Sequence, residues 1–434
     1  MKDKIRKTLK NKLFLQTIKV LLFRVSGIVL LFGFTLYLTN FYPSNIVGQY
    51  DFVRSVIFLF GSICLLGTDQ SILYFKGILD SQGRSSEIRS VYIKMIKIIF
   101  FISLSLFTLI CLVKESIFID FFRDVNIYRI LLYSFSLLFF YSISTLNSEV
   151  MRTLDMISMS ELFRNIVKYI PVFLGSLVLF YIDKKELLIY VFLFGFVLIA
   201  MVSSILIFWR FSKLKNREIK GSIISTRQVF NKSYPIAISS MAFFLLLSID
   251  VMFLKKYRNN SIVAYYSVAV KFVLIISMII NAINVNASSK IAEFYKNNNF
   301  LELNKLLNNS ARIIFLLSLP LILSIFLFSE KILSFFGENY IEAKYPLLIM
   351  VFSQGFCTLF GSVTVYLNMT GRQNIFKNIL LGAVIINFLL NLILIPNYGM
   401  VGASIAFSCS LVFWNILSAI IIYRKDNIKI FAKF

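Results

Sequence analysis

Apolar residues in this chain come in long unbroken runs, not in alternation, and short clusters of polar and charged residues separate the runs. A helix needs about 20 apolar residues to cross the hydrocarbon core of a bilayer, whereas a membrane barrel shows segments of about ten alternating ones. The pattern therefore predicts helices and no strands. Twelve runs are long enough, at 13–40, 52–75, 91–113, 127–150, 161–182, 187–209, 233–256, 262–289, 310–329, 344–369, 375–396 and 400–423. They predict an all-α integral membrane protein with about twelve transmembrane helices. Pro320 and Pro396 fall within or at the end of runs, where a missing N–H kinks or stops a helix.

Composition agrees with that class: of 434 residues 58% are hydrophobic and only 15% charged, far from the mix of a soluble domain. The start, "MKDKIRKTLKNK", is basic and leads straight into the first run, as a secretory signal would. That run is too long for a signal and lacks a clear small-residue cleavage site, so it reads as an uncleaved first span. The net charge of +24 suggests a nucleic-acid partner until its placement is considered. Lys and Arg crowd the N-terminal tail, "KGILDSQGRSSEIRSVYIKMIK", "RFSKLKNREIKGSIISTRQVFNK", "KIAEFYKNNNFLELNKLLNNSAR" and "YRKDNIKIFAKF". With alternating helices all of these lie on one side, which is positive-inside asymmetry with both termini cytoplasmic. The charge then serves orientation and contact with membrane lipids, and no nucleic acid is implied. The four cysteines, Cys64, Cys111, Cys357 and Cys409, all sit in apolar runs and the chain has no histidine. Neither a disulfide framework nor a metal site is suggested, and no nucleotide or cofactor motif is present.

Two segments resemble each other. "SNIVGQYDFVRSV" (44–56) and "NSIVAYYSVAVKF" (260–272) share Ile-Val, then a small residue, then Tyr50 and Tyr266 in register, with Arg54 and Lys271 just beyond. A fainter pair is "LNSEVMR" and "LNMTGR". Both imply an offset of six helices, hence two six-helix lobes related by a parallel repeat. The lobes would be 13–209 and 233–423, joined by a cytoplasmic loop at 210–232 and flanked by basic tails at 1–12 and 424–434. Two facing lobes with a site near the midplane form a transporter's architecture.

The charges inside the runs are the candidate site. In "KVLLFRVSGIVLLFGFTLYLTNFYPSN" (19–45) one arginine, Arg24, interrupts the apolar stretch. An arginine at mid-bilayer costs about 2.5 to 3.5 kcal/mol on insertion scales and commonly faces a wet cavity. Residues 25–44 alone could span, which leaves the other option open, Arg24 snorkelling to the headgroups. Arg54 has the same two options. Lys271 lies about ten residues into its run, too deep to snorkel easily, which favours a cavity. Asp250 reads as a partner for Lys255 or Lys256 at the surface. Asn281, Asn284, Asn387 and Asn391 suit hydrogen bonds between helices, with sugar hydroxyls as the alternative.

Three stretches, "GQYDFVRSVIFLFGSICLLGTDQSILYF", "YPIAISSMAFFLLLSIDVMFLKKYRNNSIVAYYSVAVKF" and "TGRQNIFKNILLGAVIINFLLNLILIPNYGMVGASIAFS", resemble the polysaccharide-exporter branch of the MATE-like flippase superfamily, which includes the Wzx-type O-antigen flippases. The resemblance covers about residues 13–423. It implies two six-helix lobes around a cationic cavity, and a flippase for undecaprenyl-pyrophosphate-linked oligosaccharide in the bacterial inner membrane. Arg24, Arg54 and Lys271 would then be the cavity cations, and Asp250 a coupling-ion or gate residue. A polysaccharide polymerase and a chain-length regulator are the partners it implies. The two extra lipid-groove helices of the lipid II flippases have no counterpart here. Two other classes stay open: a membrane glycosyltransferase or polymerase, which usually needs a sizeable outward loop, and a small-molecule exporter, whose cavity for cationic drugs would favour acidic residues.

Overall fold

The computed structural model describes residues 2–213 and 224–432, so 214–223 of the expected joining loop lie outside the described residues. Ten helices come first: α1 (Lys2–Phe41), α2 (Ser44–Leu65), α3 (Thr68–Ser81), α4 (Ile88–Leu112), α5 (Glu115–Phe122), α6 (Ile127–Ser136), α7 (Leu138–Thr153), α8 (Ile157–Asn165), α9 (Ile170–Tyr181) and α10 (Leu188–Ser212). Then follow α11 (Thr226–Tyr257), α12 (Asn260–Lys296), α13 (Phe300–Ser334), α14 (Lys344–Thr358), α15 (Val363–Met369) and α16 (Gln373–Asp426). No strand occurs among the described residues.

Among the described residues nine helical spans are long and apolar enough to cross a membrane, and two bent pairs, α6 with α7 and α14 with α15, raise the number to eleven. The last of these, α16, has 54 residues, which at about 1.5 Å per residue is more than twice the hydrocarbon thickness. It is broken at Gly399, whose φ of 54° and ψ of −127° lie outside the helical region, three residues after Pro396. Only glycine adopts that conformation without strain. The break makes two spans of α16 and twelve in all, divided as the apolar runs at 375–396 and 400–423 predict. Polar caps sharpen other ends: the Asn259 side chain accepts from the Ile262 N–H at 3.0 Å and so fixes the first turn of α12.

The chain forms two compact units. One comprises residues 1–42 and 56–240, the other 43–55 and 241–434, so the first part of α2 belongs to the second unit. In the first unit α7 packs on α3, α8 and α10, while α1 lies along α8 and α9 along α10. A Cβ on Gly27 would come within 2.7 Å of Asn165 Cβ and its carbonyl oxygen, so α1 and α8 touch backbone to backbone there. In the second unit α12 packs on α13, α14 and α15, and α14 packs on α16. Its core joins Leu303, Leu307, Tyr366, Ala383 and Ile422 with Ile428 and Ile430 of the basic C-terminal segment, both buried. Arg372 holds the end of α16 through Asp426, which also accepts from the Tyr366 hydroxyl at 2.5 Å.

Candidate functional site

Lys271, on α12, is buried and gives its ammonium to both oxygens of Asp51 on α2, each at 3.1 Å. Arg54, one turn along α2, donates from Nη1 to the Asp51 Oδ1 at 3.2 Å. Two cations thus share one carboxylate. The Lys271 and Asp51 side chains are 4% and 2% exposed, so the pair is fully withdrawn from water, whereas Arg54 at 15% is only partly so. Each ion alone would cost several kcal/mol in such a place, and their attraction offsets that only with good geometry, which the two equal contacts supply. Tyr340 lies within electrostatic reach of Asp51, and its hydroxyl is buried and has no hydrogen-bond partner among the described residues. Its ring meets Tyr265 edge-on at 4.8 Å.

Asp250, on α11, is buried too, but among the described residues no cation holds it. It accepts from the Tyr266 hydroxyl at 2.7 Å, from Asn391 Nδ2 at 2.6 Å and from Asn387 Nδ2 at 3.1 Å. The Lys255 ammonium donates instead to Asn260 Oδ1 at 2.6 Å, so the surface pair read from sequence gives way to a carboxylate in a cage of neutral donors. Asn387 and Asn391 sit one helical turn apart on α16 and are bonded to each other at 3.1 Å, with the Asn391 Oδ1 left without a partner. Tyr266 and Lys271 are five residues apart on α12, so one helix serves both clusters.

Arg24 belongs to a third group, in the first unit. Its Nε and Nη2 reach the two oxygens of Glu161 on α8, both at 3.3 Å, and its side chain is 30% exposed. Arg152 donates to the same carboxylate at 3.0 Å, Asn165 at 3.0 Å, and Arg164 pairs with Glu149. Asp69 lies within electrostatic reach of Glu149 and Arg164. Three arginines therefore share two carboxylates, Glu161 and Glu149, in one linked network.

The other asparagines separate. Asn284 is buried and accepts from Ser362 Oγ at 2.6 Å, an ordinary neutral bond between helices, while Asn281 is exposed. Sequence reasoning listed the cations and missed their counter-ions Asp51 and Glu161, together with Tyr266. A cavity of about 840 Å³ in the first unit, lined by Leu174, Gly175, Leu179, Val191, Phe194 and Leu198 among others, has no charged residue in its lining and cannot hold a charged headgroup.

The clusters sit on helices that match known families over much of the chain. A family model described as "Polysaccharide biosynthesis protein" matches residues 15–289, well over half of the chain. The chain belongs to this polysaccharide biosynthesis family. The MatE model matches residues 235–393, which include Asp250, Lys271, Asn387 and Asn391. The chain is 26% identical over 215 residues to the probable low-salt glycan biosynthesis flippase Agl15 of Haloferax volcanii, a match covering 49% of this chain and 45% of that one. It is 26% identical over 207 residues to the capsular polysaccharide biosynthesis protein CapF of Staphylococcus aureus, covering 46% and 52% respectively. The matches thus span about half the length of these relatives. Among solved structures, the lipid II flippase MurJ in an inward closed conformation superposes with a TM-score of 0.73 at 14% identity, covering 94% of this chain and 87% of MurJ, a likeness of fold. The family and the fold together make this a multi-pass membrane protein of the MATE-like flippase superfamily.

Proposed function

We propose that the protein moves a lipid-linked oligosaccharide carrying phosphate, of the undecaprenyl-pyrophosphate class that supplies O-antigen or a related surface polysaccharide, across the bacterial inner membrane by alternating access. The observation that carries this reading is the pair of cations, Lys271 and Arg54, gathered around the single carboxylate of Asp51. Two cations gathered at one place attract an anion, and phosphate oxygens suit both a guanidinium fork and an ammonium point charge. Two matches to glycan flippase and capsule proteins support a saccharide cargo. Lys271 and Arg54 would hold the phosphate, and Arg24, held by Glu161 in its own network, would contribute less directly. Asp250, among neutral donors, would be the coupling or gate residue, with Asn387 and Asn391 holding its geometry. Both termini would face the cytoplasm, and a polymerase and a chain-length regulator would use the product outside.

The reading is tested in cells lacking the protein, with lipid-linked repeat units scored for leaflet by a membrane-impermeant probe. Units trapped on the cytoplasmic leaflet, released by the wild-type gene and not by the Arg24→Ala, Arg54→Ala, Lys271→Ala triple variant at equal membrane abundance, are the expected result. Full activity of the triple variant would sink it. Units exposed outside but unjoined would assign the protein to polymerisation.

A further inference from the structure

The two repeated segments meet in the second unit. Ser44 Oγ donates to Ser261 Oγ at 2.9 Å, and a Cβ on Gly48 would fall 1.6 Å from the Asn260 carbonyl oxygen, so the starts of α2 and α12 touch without side chains between them. Asp51 then reaches Lys271. Ser44, Gly48 and Asp51 follow the i, i+4, i+7 spacing of one helix face, with small residues where the backbones approach. The ion pair, however, is not part of the repeat. In the register that aligns Tyr50 with Tyr266, Asp51 stands opposite Ser267 and Lys271 opposite Ser55. The pair has been added to an otherwise neutral contact.

A second observation points to a ligand there. Asp51 has two oxygens, both engaged by Lys271, and Arg54 shares one of them. The buried Tyr340 hydroxyl, within electrostatic reach of Asp51, donates to nothing among the described residues. A terminal phosphate group has three oxygens, one more than a carboxylate, and would give that hydroxyl its acceptor.

We propose that Asp51 is an internal stand-in for the phosphate of the cargo. It holds Lys271 in place in the empty protein, and an entering phosphate ester displaces it, taking Lys271 and the Tyr340 hydroxyl. Arg54 has N–H groups enough for both anions, so Asp51 keeps its partner on its own helix. Because the displaced contact is the ionic one of those that tie α2 to α12, cargo binding loosens the helix starts. Asp51 acts through Lys271 and is a positioning residue. The proposal rests on the reading that the cargo carries phosphate.

The test uses the full chain in nanodiscs of neutral phosphatidylcholine, with inorganic pyrophosphate and farnesyl pyrophosphate as probes. Binding is measured directly, and the helix contact is followed by the rate of disulfide formation in a Ser44→Cys, Ser261→Cys variant whose four native cysteines are replaced. Bound pyrophosphate is expected to slow cross-linking, Asp51→Asn to tighten pyrophosphate binding several-fold by removing the competitor, and Tyr340→Phe to weaken it about tenfold, as loss of one bond to a charged group does. A merely structural ion pair would give the opposite sign for Asp51→Asn. Pyrophosphate that binds the wild-type protein without changing the cross-linking rate would overturn the proposal and leave the phosphate reading standing, and this arm needs no Asp51 variant to fold. Failure of both probes to bind would overturn both. If phosphatidylglycerol added to the nanodisc slows cross-linking as pyrophosphate does, the displaceable seat is supported and its ligand is the bulk lipid headgroup.

Discussion

The charge network around Glu161 and the two clusters on α12 use the same residue types to opposite ends. Around Glu161 and Glu149, Arg24, Arg152 and Arg164 share two carboxylates, and the arginine side chains are about a third exposed. Around α12 the charges are withdrawn from water: the Lys271 and Asp51 side chains are 4% and 2% exposed, and Asp250 is buried among neutral donors. Charge within a membrane is expensive unless paired, so the part-exposed network explains itself as a way of packing α1 against α8. The buried clusters have no such account. An anionic cargo at one and a coupling cation at the other would each supply it.

The comparison breaks most readily at Lys271. Lys271→Ala removes the ammonium that Asp51 holds at both oxygens and should abolish translocation, with Lys271→Arg restoring part of it, as read by the leaflet assay at equal abundance. If Lys271→Ala transports normally, the buried charge on α12 has no bearing on cargo. Next in size, Asp250→Asn keeps the shape of the side chain and its place among Tyr266, Asn387 and Asn391 while removing the charge. Transport should fall about tenfold or more and cease to respond to the driving ion gradient, whereas thermal stability should hold or rise, since a buried charge has been removed. A variant that loses stability but keeps its response to the gradient would make Asp250 structural. In the part-exposed network the order reverses. Glu161→Gln leaves Arg24 and Arg152 short of a counter-ion and should lower the unfolding midpoint by an amount equivalent to at most about 3 kcal/mol, the partners being partly exposed, with transport reduced only in proportion to folded protein. Loss of transport without loss of stability would move Glu161 into the functional set.

The spans were readable because each is a long apolar run, and even the division of α16 follows from Pro396 and Gly399. The site was half readable. A lysine ten residues into an apolar run must have a partner, so Lys271 stands out, but Asp51 is 220 residues away and Glu161 is 137 from Arg24. Which helix faces meet is decided by packing across the whole unit, and no local spacing encodes it. One signal was nonetheless available: a carboxylate three residues before Arg54, in a stretch, 44–65, with no other charge, predicts that the two belong to one cluster. Asp250 misled for the same reason in reverse, because Lys255 and Lys256 are near it along the helix while its real donors come from α12 and α16.

The smallest effect separates the asparagines, which look alike in sequence. Asn284 accepts one bond from Ser362, neutral to neutral, whereas Asn391 donates to a buried carboxylate at 2.6 Å and also to Asn387. Bonds between neutral side chains inside membranes average about 0.6 kcal/mol, because the unfolded helix finds other partners in the bilayer. Asn284→Ala should therefore lower the unfolding midpoint barely measurably and leave transport intact. Asn391→Ala takes one of three donors from a charge that water does not reach, and bonds to charged groups are worth about 1.5 to 3 kcal/mol. It should cost more stability than Asn284→Ala and alter the dependence of transport on the driving ion, and the excess cost should vanish when Asp250 is already Asn. Additive losses in that double variant would mean that Asn391 supports the packing of α16 and not the charge of Asp250, and the distinction between the two kinds of cluster would then rest on Lys271 alone.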